Sequence, residues 1–109
     1  MCIVSEDFGQ RAVNCEESHR LGDRLWQKQG FHAERCRKVK VPRIGEARAV
    51  LECKVKQFVE LNGDHIILVG EVLHAEAEAG GLDAIRPLLH DSGEKFRSIG
   101  KEIVLKRRR

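Results

Sequence analysis

A chain of 109 residues has room for one domain with a single modest core. Hydrophobic residues make up 41% of it and charged residues 34%, a balance that excludes disorder and indicates a globular protein. No apolar run approaches the roughly 20 residues that span a bilayer, and residues 1–4 lead into Ser5, Glu6 and Asp7 rather than into a signal-peptide core. These features predict a cytoplasmic protein.

The formal net charge of +3 comes from the C-terminal end. Residues 106–109 carry four positive charges, and removing them from +3 leaves −1 for the rest of the chain. Proteins that bind nucleic acid usually carry their basic residues on a folded face. We therefore interpret residues 1–105 as the domain and 106–109 as a solvated basic tail, and expect no nucleic-acid or membrane partner. A second basic stretch, Arg35 to Arg43, has no interleaved aromatic residue and predicts an exposed strand.

The four cysteines and five histidines are dispersed along the chain. No two cysteines form a Cys-x-x-Cys pair and no His-Glu-x-x-His motif occurs, so the sequence predicts no metal site. Without a secretory signal, we expect no disulfide. Cys53 lies in an apolar run and is interpreted as a buried small hydrophobic residue.

The first elements in chain order are two short helices. Ser5 precedes two acidic residues, which is typical of a helix start because a capping hydroxyl and acids both suit the N-terminal end. Apolar residues then recur at helical spacing and predict a helix over residues 6–17, namely Phe8, Ala12 and Cys15. A second helix is predicted from Asp23 to Gln29, with Gly30 as its C-terminal cap.

The segment from Ile44 to Phe58 fits both a helical stripe and a strand alternation. Asn62-Gly63 favours the strand, because this pair is the strongest short hairpin signal. After it, Ile66–Val69 is β-branched and apolar, and predicts a strand buried on both faces. We therefore predict a long strand over Val50–Leu61, preceded by a helical turn at Gly45–Arg48.

Toward the C-terminus, residues 75–81 fit either a continuation of the strand or a loop. Arg86–His90 then leads to a turn at Asp91-Ser92-Gly93, and Lys95–Ile99 is the last short element predicted.

Short motifs over most of the chain follow the order seen in one known family. They are Ser18-His19-Arg20, Asp23-Arg24-Leu25, Val41-Pro42, Glu46-Ala47, Leu51-Glu52-Cys53-Lys54-Val55, Gly63-Asp64-His65, Val69-Gly70-Glu71-Val72 and Pro87-Leu88-Leu89-His90, followed by Gly93 and Phe96. In this order they resemble the C-terminal part of the flavin reductase-like family, which includes flavoredoxins and the reductase partners of two-component monooxygenases. The chain departs from the family's Ser-Gly-Arg…Asp-Lys-Phe stretch at His19, Arg24 and Leu25.

The resemblance implies a mainly β fold with short helices, a partial split β-barrel of the FMN-binding type. It also implies a homodimer or larger assembly that binds FMN, or FAD in some members, near the subunit interface. Such proteins pass electrons from NADH or NADPH to flavin or to another acceptor. The family's early strands have no counterpart here, so we expect a gene fragment, a truncated product or one part of a split protein. The alternative function is a non-catalytic remnant or interaction module that no longer binds flavin.

Three residues are candidates for cofactor binding. Arg20 and Arg24 are four positions apart and share one face of a helical turn, with Ser18 just before them. Guanidinium groups suit phosphate oxygens, and the resemblance supports a flavin phosphate as their ligand. The alternative is that the two arginines pair with nearby acids at positions 16, 17 and 23.

His65 is the candidate for substrate binding, because in the family a histidine at this place faces the flavin or the nicotinamide. The alternative is a histidine that caps the turn and hydrogen-bonds Asp64. His90 is interpreted as a turn or edge residue. We assign no catalytic residue, since hydride transfer is chemistry that the cofactors supply. Neither a Gly-x-Gly-x-x-Gly fingerprint nor a P-loop nor a Gly-x-Ser-x-Gly elbow is present.

Overall fold

The computed structural model describes residues 1–16 and 24–108, and it is mainly β with short helices, as predicted. A 3₁₀ turn, Glu6–Phe8, leads into α1, and the elements follow in the order α1 (Gly9–Asn14), α2 (Leu25–Lys28), β1 (Ala33–Glu34), β2 (Arg43–Ile44), β3 (Ala49–Glu60), β4 (Ile66–Ala77), α3 (Leu82–Ile85), β5 (Leu89–Ser92) and β6 (Lys95–Arg97). Each strand pairs antiparallel with its neighbour in sequence, which gives the three hairpins β1–β2, β3–β4 and β5–β6.

The N-terminal segment, residues 1–5, joins the two halves of the fold. On one side Cys2 lies in antiparallel register with Val50 of β3, and on the other side Ser5 lies opposite Pro87. The Leu51 N–H donates to the Met1 carbonyl at 2.8 Å, and the Leu88 N–H donates to the Val4 carbonyl at 2.9 Å. The segment therefore acts as a short middle strand between β3 and the chain before β5.

The first helix forms where the sequence predicted it, but Ser5 does not cap it. The Ser5 hydroxyl is fully buried and donates to the carbonyl of Ile85 at 2.5 Å, so it ties the N-terminal segment to α3. Gly9 packs closely on Leu88: a Cβ at this position would lie 2.7 Å from Leu88 Cδ2, so the Leu88 side chain would have to shift. The helix ends at Asn14 rather than at residue 17, which lies outside the described residues.

The second helix, α2, is one turn long and ends as predicted. Its last N–H groups bond back to the helix, and Gly30 follows with a φ of 84°. This left-handed conformation costs glycine little and reverses the chain after the helix. Phe31, the next residue, enters the core.

The core is small and lies between α1, α2 and the start of β3. Its buried apolar side chains are Phe8, Phe31 and Val50. The rings of Phe8 and Phe31 meet edge to face with centroids 5.6 Å apart. The Arg11 guanidinium lies 4.6 Å from the Phe31 ring centroid, within the range of a cation–π contact.

The prediction of an exposed strand over Arg35 to Arg43 was wrong. Only its flanks are strands, β1 before it and β2 at its end, and residues 35–42 form a loop. The backbone of the loop is hydrogen-bonded to a side chain of β3: the N–H groups of Arg37 and Lys38 both donate to the carboxylate of Glu52. These two donors are therefore unavailable to a strand ladder.

The central hairpin confirms the predicted long strand and its partner. β3 and β4 each have 12 residues, and β4 runs on to Ala77, so the strand alternative for residues 75–77 is correct. Residues 61–65 join the two strands, but neither Asn62 nor Gly63 has a positive φ, so the loop is not the two-residue turn that this pair suggests. The register shifts twice: Leu73 of β4 is the extra residue opposite Glu52/Cys53, and Lys56 of β3 is the extra residue between Val55 and Gln57.

The prediction that Ile66–Val69 is buried on both faces was wrong for this chain. We call residues 53–60 of β3 and 66–73 of β4 the distal arm. Val59 is half-buried, and the other eight large apolar side chains are between 40% and 67% exposed: Val55, Phe58, Ile66, Ile67, Leu68, Val69, Val72 and Leu73. Among the described residues, no third strand pairs with this part of the hairpin. The arm lacks the neighbours that its sequence pattern requires.

After β4 the chain turns through two glycines into α3 and the small hairpin β5–β6. This hairpin confirms the predicted turn near Gly93 and a last strand that begins at Lys95. Residues 98–108 have no regular secondary structure, and the predicted tail is exposed over 106–108. Within residues 1–16 and 24–108, no helix is long and apolar enough to cross a membrane.

The exposed distal arm leads to a prediction about assembly. Because unpaired strand edges and apolar faces tend to find another chain, we expect the isolated 109-residue chain to form dimers or larger assemblies. Size-exclusion chromatography with light scattering at micromolar concentration measures this. A monodisperse monomer with a cooperative thermal transition would contradict it, and would mean that the small core is sufficient by itself.

Candidate functional site

Of the three predicted cofactor-binding residues, the structure describes one. Ser18 and Arg20 lie outside the described residues, so their grouping with Arg24 stays a prediction. Arg24 occupies the N-cap position of α2, where its carbonyl accepts the N–H of Lys28 at 3.1 Å. Its side chain is exposed, which suits a guanidinium that meets a ligand phosphate from solvent.

Beside α2 an open apolar cleft of about 480 Å³ lies between the two helices and β2. Its walls are mostly apolar, and they include Phe8, Ala12, Cys15, Trp26, Phe31 and Ile44. Arg43 is the charged residue among the lining side chains. The volume falls in the range of small-molecule sites, which combine apolar walls with few polar groups. Neither Arg24 nor His65 lines this cleft.

Behind Arg43 lies a cluster of charges centred on Glu76 of β4. The Glu76 carboxylate accepts from Arg43 Nη1 at 2.6 Å and lies 2.9 Å from Arg37 Nε. His74 Nε2 lies 2.8 Å from Glu76 Oε1, the oxygen that Arg37 also contacts, while Arg43 bonds Oε2. The hydrogen bond with His74, together with that from Arg43, lowers the pKa of Glu76 to about 2. The same contact with Glu76 raises the pKa of Arg43, so both groups stay charged at neutral pH.

Glu52 of β3 is a buried acid that sequence analysis missed. Its side chain is 2% exposed, and it accepts the Arg37 N–H at 3.0 Å and the Lys38 N–H at 2.6 Å. Burial raises its pKa, but the backbone donors outweigh burial and keep the pKa below its ordinary value. In the sequence Glu52 alternates with apolar residues like any solvent-facing strand residue, and no local signal marks it as buried. Its role is to hold the loop 35–42 against the hairpin.

His65 makes the contact with Asp64 that sequence analysis gave as the alternative, and its role in substrate binding stays a prediction. It lies in the loop between β3 and β4 with its side chain 92% exposed, and its Nδ1 is 2.7 Å from Asp64 Oδ1. Because the carboxylate can only accept, Nδ1 is the protonated nitrogen. His90 is an edge residue, as predicted: it stacks on Phe96 with ring centroids 4.7 Å apart and bonds the Gly93 carbonyl.

The cysteines are all free and half-buried, including Cys53, which was expected to be buried. Burial raises the pKa of the Cys36 thiol, so this side chain is a poor nucleophile at neutral pH. Across the described residues, no three side chains of the metal-binding types come together.

The fold is shared with solved structures of split-barrel proteins. Component B of nitrilotriacetate monooxygenase from Bacillus cereus matches 95% of this chain with a TM-score of 0.84 at 16% identity. A split-barrel protein of Shewanella frigidimarina assigned as a flavin reductase matches 96% with a TM-score of 0.84 at 15% identity. The 2-nitrobenzoate 2-nitroreductase of Pseudomonas fluorescens matches 97% with a TM-score of 0.77 at 18% identity. The described strands therefore form part of a split β-barrel.

Residues 2–100 match the model of the flavin reductase-like domain, and the chain belongs to that family. An uncharacterized protein of Aquifex aeolicus is 32% identical over 99 residues, which are 91% of this chain and 48% of that protein. One of Archaeoglobus fulgidus is 58% identical over 38 residues, or 35% of this chain and 21% of the relative. The chain spans at most about half the length of these relatives and 57–58% of the matched structures.

The charge cluster predicts how stability depends on pH. The pKa values of Glu76 and of Glu46, which bonds His32, are both lowered from 4.5 to about 2. A carboxylate with a lowered folded-state pKa stabilises the fold above its unfolded pKa, and this stabilisation is lost as pH falls through the folded value. We expect the thermal midpoint to fall as pH drops from about 4.5 to about 2.

Replacing Glu76 by Gln tests the assignment, with thermal melts followed by circular dichroism. The midpoint of Glu76→Gln should lie below that of the unchanged protein at neutral pH, and the gap should close as pH approaches about 2. Glu94→Gln, at an exposed carboxylate in the β5–β6 turn, is the matched control and should show no gap. A gap of equal size at every pH would show that Glu76 acts through packing rather than through its charge.

Proposed function

We propose that this chain is an FMN-binding component of a flavin reductase-like oxidoreductase, which passes electrons from NADH or NADPH to flavin or to a flavin-linked acceptor. The observation that carries the proposal is family membership over residues 2–100. The matched structures include a monooxygenase component and a nitroreductase, which supports a role in redox chemistry.

The flavin phosphate is the part of the cofactor that this chain is equipped to hold. Arg24 presents an exposed guanidinium at the first turn of α2, and Ser18 and Arg20 stand four to six positions before it in the sequence. A bound flavin supplies the hydride acceptor, while the protein binds and orients it. The donor chemistry of these residues fits a phosphate, because charge-assisted hydrogen bonds from Arg match its oxygens.

His65 is proposed to contact the dinucleotide. Its Nδ1 is hydrogen-bonded to Asp64, so Nε2 is the ring atom that would contact the dinucleotide. In the neutral ring Nε2 accepts a hydrogen bond. With 92% of its side chain exposed, the ring is accessible to a ligand arriving from solvent. We assign it a binding role and no proton transfer.

A second candidate function is a non-catalytic interaction module. The chain covers 57–58% of the matched structures, and its apolar distal arm is exposed. The exposed arm supports an interaction role, because apolar patches of this kind mark surfaces that other structure covers. In either role we propose a homodimer or larger assembly as the working form.

Flavin titration separates the two candidates. Following quenching of FMN fluorescence, we expect weak or absent binding by the 109-residue chain and clear binding by a version with the family's N-terminal strands restored. Tight stoichiometric binding by the 109-residue chain alone would contradict the expected need for those strands. If neither the 109-residue chain nor the version with the N-terminal strands binds FMN, the interaction module is the favoured function.

In the version that binds, Arg20→Ala or Arg24→Ala should weaken FMN binding. A hydrogen bond to a charged group contributes about 1.5–3 kcal/mol, so a loss of roughly tenfold or more in affinity is expected. Riboflavin has no phosphate and should bind both variants as it binds the unchanged protein. Arg35→Ala, at an exposed arginine in the loop 35–42, is the control. Equal losses for both ligands would mean that the arginines act through folding.

A further inference from the structure

The chain after β6 has a packed part and an exposed part. Residues 99–102 lie against the start of α3 and the two glycines before it, and the two segments line a small cavity of about 290 Å³. From Ile103 to Arg108 every residue is exposed, and none belongs to a helix or strand. Residues 103–105 are apolar and residues 106–109 are basic, so we call residues 103–109 the apolar–basic segment.

The apolar half of this segment consists of three consecutive side chains in water. Ile103, Val104 and Leu105 are 76%, 72% and 83% exposed, more than any other large apolar side chain that the structure describes. A single exposed apolar residue is ordinary on a protein surface. A run of three is unfavourable in water unless it has a function, because apolar surface gains by leaving water.

The basic half holds more positive charge than the whole chain has in excess. Removing its four charges from the net +3 leaves −1 for residues 1–105. In the described part of the chain, Lys106, Arg107 and Arg108 pair with no acid. A cluster of four or more Lys and Arg residues is typical of segments that bind anionic lipid, and each such residue strengthens binding by roughly fivefold.

The two halves can act on one surface at the same time. Seven residues span at most roughly 25 Å when extended, so the apolar side chains and the cations reach the same patch of a membrane. Segments that lie in the membrane interface bind through their buried apolar area and through attraction to anionic lipids. The apolar–basic segment has both contributions next to each other in the sequence.

Nucleic acid would attract the same cations, but the neighbouring residues favour lipid. Proteins that hold single-stranded nucleic acid stack its bases on aromatic side chains, and the sequence after Phe96 contains none. The phosphate backbone offers no apolar surface to Ile103, Val104 and Leu105. At a lipid surface these side chains leave water for the boundary between headgroups and acyl chains, and the gain scales with their apolar area.

We propose that the apolar–basic segment is a docking site for an anionic lipid surface. Ile103, Val104 and Leu105 insert below the headgroups, and residues 106–109 bind the lipid phosphates. The composition predicted a solvated basic tail without a membrane partner, and the exposure of three apolar side chains directly before that tail is the observation that changes this expectation. The proposal concerns residues 103–109 and does not depend on flavin binding.

Flotation of the full 109-residue chain with lipid vesicles tests the proposal, because protein that has only aggregated does not float. The vesicles consist of phosphatidylcholine alone, or of phosphatidylcholine and phosphatidylglycerol in equal parts. We expect the chain to float with the anionic vesicles and not with the neutral ones. Flotation should weaken as ionic strength rises from about 0.1 M to about 1 M, because the Debye length falls from about 10 Å to about 3 Å.

A charge variant tests the basic half. Lys106→Gln, Arg107→Gln and Arg108→Gln together remove three charges and should weaken binding to the anionic vesicles by about 100-fold, at about fivefold for each charge. These side chains are exposed and lie outside the helices and strands, so the fold should be unaffected. A circular dichroism spectrum like that of the unchanged chain confirms this.

An apolar variant tests the other half at constant charge. Ile103→Ser with Leu105→Ser should weaken binding to the anionic vesicles by about tenfold or more, because less apolar surface leaves water. Phe58→Ser, at a side chain of the distal arm that is 67% exposed, is the matched control and should float like the unchanged chain.

The same samples separate a lipid surface from the other possible partners. Flotation that is absent, that is equal with neutral and anionic vesicles, or that Ile103→Ser with Leu105→Ser leaves unchanged overturns the proposal. Loss of flotation in Phe58→Ser would assign the contact to the distal arm and overturns it as well. Fluorescence anisotropy with single-stranded oligouridylate is measured in parallel. Binding to this RNA without flotation on anionic vesicles would make nucleic acid the partner. No readout involves flavin, so the result is independent of the flavin titrations.

Discussion

The fold depends on the short strand made by residues 1–5. It bonds β3 on one side, through Met1 and Ile3, and the segment around Pro87 on the other. Without it the central hairpin and the C-terminal elements would share no backbone ladder among the described residues. Ser5 seals this junction, since its buried hydroxyl satisfies the Ile85 carbonyl, a group that would otherwise lose its hydrogen bond away from water.

Two acids on the central hairpin organise the polar side of the molecule. Glu52 binds the backbone of the loop 35–42, and Glu76 binds the side chains of Arg37 within that loop and of Arg43 directly after it. A loop without regular structure is thus held to the sheet by its main chain and its side chains at once. Arg43 also lines the cleft next to β2, so the side chain that binds Glu76 forms part of the cleft wall.

Local patterns predicted the elements whose cause is local. The alternation in β3, the apolar run of β4, the spacing of Phe8 and Ala12, and Gly30 after α2 each act within a few residues. The buried state of Glu52 depends on a loop 14 residues away, and no pattern in the strand reports it. The exposure of Ile66–Val69 was missed for the opposite reason: the pattern indicates burial, and among the described residues no further strand pairs with this part of the hairpin. The candidate phosphate site rests on the sequence alone, since two of its three residues, Ser18 and Arg20, lie outside the described ranges.

The Ser5–Ile85 hydrogen bond joins residues 80 positions apart, which has a consequence for the order of folding. The middle strand can form its second ladder only after α3 has left the ribosome, and closing so long a loop carries an entropic cost before any contact offsets it. The β3–β4 hairpin, with its five-residue connection, forms earlier. The nascent chain therefore passes through a stage in which this hairpin exists while the N-terminal segment is bound on one side at most. During that stage the chain is most open to chaperones and to wrong strand partners.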